Sequence, residues 1–156
     1  MKKKVDILVL AACLIIVSLV SFIGSVFTSP AVKSAWYQSI KPSITPPNLV
    51  FPIVWSILFF LIALSLYFAW IKSSKKQKKT IMILFGINFI LNILWSVIYF
   101  GMQNPSLALA EIVLLWASIF SMILSLRKIR KLSSNLLIPY LLWVSFAAFL
   151  NYLSIK

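Results

Sequence analysis

Five long apolar segments constrain this chain more than any other feature of its sequence. They run over about residues 5–27, 50–71, 80–100, 105–126 and 134–155, and each approaches the ~20 apolar residues needed to cross a bilayer. A backbone in lipid must satisfy its polar groups internally, so each segment is predicted to be a helix. The expected fold class is all-α: an integral membrane bundle of five transmembrane helices, in a single domain over residues 1–156.

The basic residues lie beside these segments rather than within them. The chain has 15 Lys and Arg residues against two acidic ones, and 12 of the 15 fall on one side of the predicted bundle. Basic runs at headgroup level indicate lipid contact and argue against a nucleic-acid partner. The positive-inside rule places the N-terminus in the cytoplasm and the C-terminus outside a bacterial plasma membrane. The 12 are Lys2, Lys3, Lys4, Lys72, Lys75, Lys76, Lys78, Lys79, Arg127, Lys128, Arg130 and Lys131, against Lys33, Lys41 and Lys156.

Four prolines interrupt the chain between the first two segments. Pro42, Pro46, Pro47 and Pro52 lack a backbone N–H and bias the preceding residue toward extended conformations, so residues 41–50 cannot form one regular helix. The neighbouring Trp and Tyr side chains suit the membrane–water boundary. We expect a long structured loop between helices 1 and 2, either a lid over a cavity or an interfacial loop.

The cysteine and histidine content excludes several kinds of site. The chain has one cysteine, Cys13, and no histidine, so an internal disulfide and a histidine-based metal or haem site are impossible. Residues 10–13 resemble a lipoprotein cleavage site, but the preceding apolar run is short for a signal peptide. A packed or lipid-facing Cys13 is therefore expected. Neither a nucleophile with a histidine partner nor a pair of carboxylates is present for conventional acid–base catalysis.

Two polar stripes run along the predicted third and fifth helices. Spacings of three and four residues place each set on one helix face. An unpaired amide in hydrocarbon is costly, so these groups either bond between helices or line a polar cavity. Both interpretations stay open from the sequence. The stripes are Asn88, Asn92, Trp95 and Tyr99, and then Tyr140, Trp143, Ala147 and Asn151.

Three further features concern the helix faces. Glu111 is the only acid in the interior of a predicted span, and a hydrogen bond to a neighbouring helix is expected, with a proton or ligand contact as the alternative. Ser18, Ser21, Gly24 and Ser25 in the first span suit close helix packing. Trp55 and Trp143 lie near the outer end of the bundle, where they form a π-faced slot if both point inward.

Several of these residues belong to motifs that resemble one known family. They are Trp36-Tyr37, Lys41-Pro42-Ser43, Pro46-Pro47, residues 52–55, residues 92–95 with Phe100-Gly101, residues 139–143 with Phe146-Ala147, and Leu150-Asn151. Their order over residues 36–152 resembles the translocator protein family, called TspO or tryptophan-rich sensory proteins in bacteria and the peripheral benzodiazepine receptor in mitochondria.

The resemblance implies a ligand pocket beneath the first loop, commonly in a homodimer. It implies binding of tetrapyrroles such as protoporphyrin IX and of benzodiazepine-like molecules, with light- and oxygen-dependent porphyrin breakdown in some bacterial relatives, a stress-response role. No resident cofactor is expected. Trp55 and Trp143 match the tryptophans implicated in the photochemistry. Drawn from the polar stripes and from the family motifs together, the candidate ligand-binding residues are Trp36, Tyr37, Pro46, Trp55, Phe59, Asn88, Asn92, Trp95, Glu111, Trp143, Phe146, Ala147 and Leu150.

Two positions depart from the family pattern. Ile44 stands where relatives usually have Trp, which removes one ring from the expected lid, and Glu111 stands where Asp is common. Lys41 is expected to reach the porphyrin carboxylates at the outer mouth. A terminal Tyr152–Lys156 pattern coincides with the family's cholesterol segment but is degenerate. The alternative function is a sensor, regulator or carrier of tetrapyrroles or other lipophilic ligands without turnover.

Overall fold

A computed structural model describes residues 5–155, and all of their regular structure is helical. Lys2, Lys3, Lys4 and Lys156, which contribute to the charge pattern above, lie outside the described residues. Five stretches are long and apolar enough to cross a membrane, which confirms the predicted five-span all-α membrane fold. The helices are α1 (Ile7–Ala31), α2 (Ala35–Ile40), α3 (Val50–Trp70), α4 (Lys75–Ser96) with a π-helix (Val97–Gly101), α5 (Pro105–Arg127), α6 (Lys131–Asn135) and α7 (Ile138–Leu153).

Two helices extend beyond their apolar segments. α1 continues to Ala31, because polar residues after residue 27 end the apolar run without ending the helix. α4 starts at Lys75 rather than residue 80. There the Ser74 hydroxyl accepts from the Gln77 N–H at 3.4 Å, and the Gln77 side chain accepts from the Ser74 N–H at 2.8 Å. This capping box and the good helix propensity of lysine extend the helix into the headgroup layer.

The fifth span is two helices rather than the one predicted. α6 ends at Asn135, and α7 begins at Ile138 with Pro139 in its first turn. Proline lacks the N–H that a continuous helix needs and clashes with the carbonyl four residues earlier. The break therefore falls where the proline ring would otherwise enter a helix interior.

The third span ends in a wide turn. The Met102 N–H donates to the Val97 carbonyl at 2.8 Å, a five-residue step that makes this turn a π-helix. Gln103 then has a φ of 53°, and Asn104 caps α5 by accepting from the Leu107 N–H at 3.0 Å. The turn places Tyr99 beside Trp36, with ring centroids 6.0 Å apart, so this span contacts the first loop.

Helix α5 packs against α4, α6 and α7, and α1 packs against α3 and α4. Their shared core includes Phe85, Ile119 and Met122, and Cys13 is buried in it. We call residues 32–49 the cap. The cap end of the bundle holds the cap, the start of α5 and the end of α7. The basic end holds the start of α1, the turn from α3 to α4 and the loop from α5 to α6.

Candidate functional site

A cavity of about 620 Å³ lies at the cap end of the bundle. The cap covers it with Tyr37, Pro42, Thr45 and Asn48, so the proline-rich loop has the position of a lid. α1, α3, the third span, α5 and α7 form its walls. The volume falls within the roughly 300–1,000 Å³ typical of small-molecule sites.

Two tryptophans form aromatic walls of this cavity. Trp55 on α3 lies beside Phe59 and Tyr140, with ring centroids 5.3 and 6.1 Å away. Trp143 on α7 lies against Phe51 and Phe146, at 5.9 and 5.6 Å. Each indole is held in place by a second ring, so the walls are ordered surfaces on which a flat apolar ligand can stack.

The polar stripes of the third and fifth spans bond to each other beside the cavity. The Trp95 indole N–H donates to Asn151 Oδ1 at 3.1 Å, and the Asn151 amide donates to the Pro105 carbonyl at 2.8 Å. The Asn92 amide donates to the Tyr140 hydroxyl at 2.9 Å. Asn92, Trp95 and Asn151 also line the cavity. The two interpretations of the stripes are therefore both correct for these residues.

Two lining residues carry polar atoms without a partner among the described residues. The Thr45 hydroxyl and the Trp143 indole Nε1 are buried, and neither makes a hydrogen bond to a residue in 5–155. A buried unpaired donor is costly. A ligand that places an acceptor atom against either group would remove that cost.

The cavity mouth differs from the expected one in its charge. Lys33 lines the cavity, whereas Lys41 does not. Ile44 is also outside the lining and is 52% exposed, so this side chain forms no wall of the cavity. Burial, with a smaller contribution from Tyr99, raises the pKa of Tyr37 to about 12. Its hydroxyl is therefore a neutral donor near pH 7.

Eight of the candidate ligand-binding residues come together in the cavity lining. They come from the cap and from three different spans, although they are scattered along more than 100 residues of sequence. The eight are Tyr37, Trp55, Phe59, Asn92, Trp95, Trp143, Ala147 and Leu150.

Five candidates lie outside the lining. Trp36 packs on Tyr99 from the cap, and Phe146 lies behind Trp143. Pro46 is part of the cap but does not reach the cavity. Asn88 is fully buried one turn below Asn92, and its amide donates to the Ser118 hydroxyl at 2.9 Å. Trp36 and Phe146 therefore support lining residues from behind.

Glu111 is the fifth candidate outside the cavity lining, and its environment differs from the one expected. It is 5% exposed on α5, and neither carboxyl oxygen has a hydrogen-bond partner among the described residues. The expected hydrogen bond to a neighbouring helix is therefore not found. Glu111 lies next to the cavity-lining Ile112 but outside the lining itself.

The lining also contains residues that sequence reasoning did not select. The packing role expected for Ser18, Ser21, Gly24 and Ser25 holds only in part, because Ser18 is exposed and the other three also line the cavity. A Cβ on Gly24 would lie 3.4 Å from the Ser96 hydroxyl, so this glycine does permit close packing. The spacing of hydroxyl residues along α1 was the available signal. Residues that the sequence did not single out include Thr28, Ser29, Thr45, Asn48 and Phe51, while Tyr99 and Asn151 of the polar stripes also line the cavity.

We expect Tyr140→Phe to destabilise the bundle by about 1–3 kcal/mol, since it removes one partner of two buried amides. The Tyr140 hydroxyl accepts from Asn92 at 2.9 Å and donates to Asn88 Oδ1 at 3.4 Å. Thermal unfolding in detergent measures the effect. Tyr152→Phe, at a residue 62% exposed, is the matched control and should change nothing. Equal stability of Tyr140→Phe and the parent would show that the hydroxyl does not hold α4 to α7.

Comparison with known proteins agrees with the fold. The TspO/MBR family profile matches residues 11–155. The chain is 43% identical over 150 residues to the tryptophan-rich protein TspO of Chlorobaculum tepidum, covering 94% of each chain. It is 38% identical to that of Archaeoglobus fulgidus, over 94% of this chain and 95% of the other. It is 30% identical to the human translocator protein, over 86% and 81%. The chain therefore belongs to the TspO/MBR family.

Proposed function

We propose that this membrane protein binds a tetrapyrrole such as protoporphyrin IX under the cap and promotes its light- and oxygen-dependent breakdown. The observation that carries the proposal is a covered cavity of about 620 Å³ with both Trp55 and Trp143 in its walls. Family membership supports a tetrapyrrole-related role in the membrane.

A porphyrin matches the chemistry of the cavity. Its flat apolar disc can stack on the indoles of Trp55 and Trp143. Its two carboxylates are suited to the mouth, where Lys33 supplies a cation. The unpaired Thr45 hydroxyl and Trp143 N–H offer hydrogen bonds to acceptor atoms that enter the cavity. Benzodiazepine-like molecules, which are also flat and apolar, are a second ligand class for the same walls.

The indoles have the chemical role in the breakdown. Light excites the bound porphyrin, and an electron-rich indole then supplies an electron or reacts with the oxygen species produced. The protein contributes proximity, because the cavity holds the pigment against the tryptophan walls. No proton transfer by a side chain is required, in keeping with a sequence that lacks the residues of conventional acid–base catalysis.

The visible absorption of protoporphyrin IX, titrated with the purified protein in detergent and followed in darkness and in light, tests the proposal. Saturable binding followed by light-driven loss of the pigment is expected. Binding without light-driven loss would contradict the photochemical part and favour a sensor, regulator or carrier. Absence of binding would contradict the tetrapyrrole proposal as a whole.

We expect Lys33→Gln to weaken porphyrin binding several-fold and to lower its salt dependence. An exposed ion pair contributes only about 0.2–1 kcal/mol and is screened by salt, so the effect is modest. Lys41→Gln is the matched control, since it removes the same charge from the cap outside the cavity lining. Titrations at low and high salt measure both variants. A larger loss in Lys41→Gln would identify that lysine as the carboxylate partner.

The distribution of charge supports an orientation with the cap outside. Among the described residues, nine cations lie at the basic end and two, Lys33 and Lys41, at the cap end. The positive-inside rule then places the basic end in the cytoplasm.

In a Cys13→Ala background, a membrane-impermeant maleimide should label Ser43→Cys in intact cells and Lys76→Cys only after lysis. The opposite labelling pattern would reverse the orientation.

A homodimer is proposed from family resemblance, with cross-linking in detergent as its test.

A further inference from the structure

A second, smaller cleft of about 270 Å³ lies at the basic end of the bundle, far from the cavity under the cap. It is formed where three spans meet at headgroup level: the start of α1, the end of α3 and the first turn of α4. Its polar and aromatic groups come from Asp6, Tyr67, Trp70, Lys72, Ser73 and Lys78. The porphyrin proposal makes no use of this cleft.

Charges of both signs face this cleft, and in the part of the chain that the structure describes they do not pair with one another. Asp6 and Glu111 are the two acids of the chain, and Glu111 is buried within a span, so Asp6 is the acid that faces the headgroup layer. No ion pair within 4.0 Å joins Asp6 to Lys72 or Lys78. The cleft therefore presents a carboxylate and two ammonium groups that do not neutralise each other directly.

The other groups of the cleft are oriented by local structure. The Tyr67 hydroxyl accepts from the Asp6 N–H at 3.2 Å and donates to none of the described residues. The Asp6 side chain accepts from the Val9 N–H at 3.2 Å, which uses one carboxyl oxygen as the helix cap. Lys78 lies with its Nζ 4.9 Å above the centre of the half-buried Trp70 ring, a cation–π contact that fixes the ammonium at the cleft wall.

We propose that this cleft binds the headgroup of a zwitterionic phospholipid that ends in a primary ammonium, as in phosphatidylethanolamine. The phosphodiester accepts hydrogen bonds from Lys72, Lys78 and the Tyr67 hydroxyl. The ethanolamine ammonium donates to the free carboxyl oxygen of Asp6. Because the cleft opens at the ends of three membrane spans, the acyl chains of such a lipid lie along the apolar outer faces of α1 and α4.

The carboxylate distinguishes this ligand from other phosphates. Asp6 repels a phosphate dianion, which disfavours inorganic phosphate and terminal phosphomonoesters. A choline head has a cation without N–H donors, so it cannot make the charge-assisted hydrogen bond to Asp6. Phosphatidylglycerol has hydroxyl donors but no positive charge to match the carboxylate.

Native mass spectrometry of the full chain tests this proposal, with dioleoyl phosphatidylethanolamine, phosphatidylglycerol and phosphatidylcholine added separately to the detergent solution. We expect the parent to retain phosphatidylethanolamine most strongly. Lys72→Gln/Lys78→Gln should weaken its binding by about tenfold or more, the equivalent of losing one charge-assisted hydrogen bond. Asp6→Asn, which keeps the helix cap, should lose the preference for ethanolamine over choline while still binding phospholipid.

Lys75→Gln/Lys76→Gln is the matched control, because it removes two charges from the same helix end outside the cleft. Its phosphatidylethanolamine binding should equal that of the parent. An equal loss in this control would overturn the proposal in favour of diffuse attraction to the basic end. Equal binding of all three lipids by the parent would also overturn it. So would displacement of the lipid by millimolar inorganic phosphate, which would identify a free phosphate site. Thermal unfolding of each variant without lipid identifies any loss caused by misfolding.

Discussion

A Trp55→Phe/Trp143→Phe variant will bind protoporphyrin IX but leave it intact under light. Phenylalanine keeps an aromatic face on both cavity walls, so binding should weaken by no more than about tenfold per site, the scale of a lost aromatic contact. It lacks the electron-rich indole that the proposed reaction uses. Loss of porphyrin absorption in light should therefore fall to the rate of the pigment in detergent alone.

Trp116→Phe is the control for this experiment. Trp116 lies on α5, stacks on Phe120 with ring centroids 5.4 Å apart, and donates from its indole N–H to the Ser145 hydroxyl at 2.8 Å. It does not line the cavity, so its replacement should leave both binding and photochemistry unchanged. The two single variants at Trp55 and Trp143 show which indole reacts. Normal light-driven loss in the double variant would remove both tryptophans from the mechanism.

Ala147→Phe should close the cavity to porphyrin. Ala147 lines the cavity on α7, one turn from Trp143, and a phenyl ring at this position projects into space that the ligand needs. We expect binding to weaken by about 5- to 150-fold, the affinity equivalent of the ~1–3 kcal/mol that overpacking costs. Absorption titration measures the loss, and light-driven breakdown should fall in proportion to occupancy.

Ala148→Phe makes the same substitution at the next position. Ala148 packs against the core but does not line the cavity, so porphyrin affinity should stay near that of the parent wherever the variant folds. Thermal unfolding of both variants separates blocked binding from loss of the fold. Unchanged affinity in Ala147→Phe would place the ligand somewhere other than this cavity.

The π-helix packs against both the cap and the end of α1. Tyr37 is 6% exposed and lies against Phe100 of the π-helix, with ring centroids 5.7 Å apart. The π-helix and the cap are therefore packed on each other. A Cβ atom added to Gly101 would lie 3.0 Å from the Phe27 ring. A larger residue at position 101 would clash with Phe27 of α1. Glycine is therefore required here by the close approach of Phe27 and not by its backbone angles.

The number of spans, their type and the family were all readable from the amino-acid sequence. Apolar length sufficient to cross a bilayer is a property of a continuous segment, so it needs no knowledge of neighbours. The motifs around Trp36, Trp55, Trp95 and Trp143 are likewise local. The break between α6 and α7 could also have been read from Pro139, although the apolar run concealed it.

Only the tertiary structure decided which residues of a helix face share the cavity. Asn88 and Asn92 lie on one stripe, yet Asn92 lines the cavity and Asn88 is buried beneath it against Ser118. Glu111 lies beside the cavity-lining Ile112, and neither of its carboxyl oxygens has a hydrogen-bond partner within residues 5–155. Helical periodicity defines a face, but the depth at which neighbouring helices separate determines where that face becomes a cavity wall.

The cap was the least predictable part for the same reason. Its prolines exclude a regular helix, and without a period the sequence does not indicate which side chains turn inward. Lys33 rather than Lys41 reaches the mouth, and Thr45 lines the cavity whereas Ile44 and Pro46 do not. Those positions depend on how residues 32–49 pack on α1, α3 and the π-helix, because contacts distant in sequence, and not local preference, hold an irregular chain in one conformation.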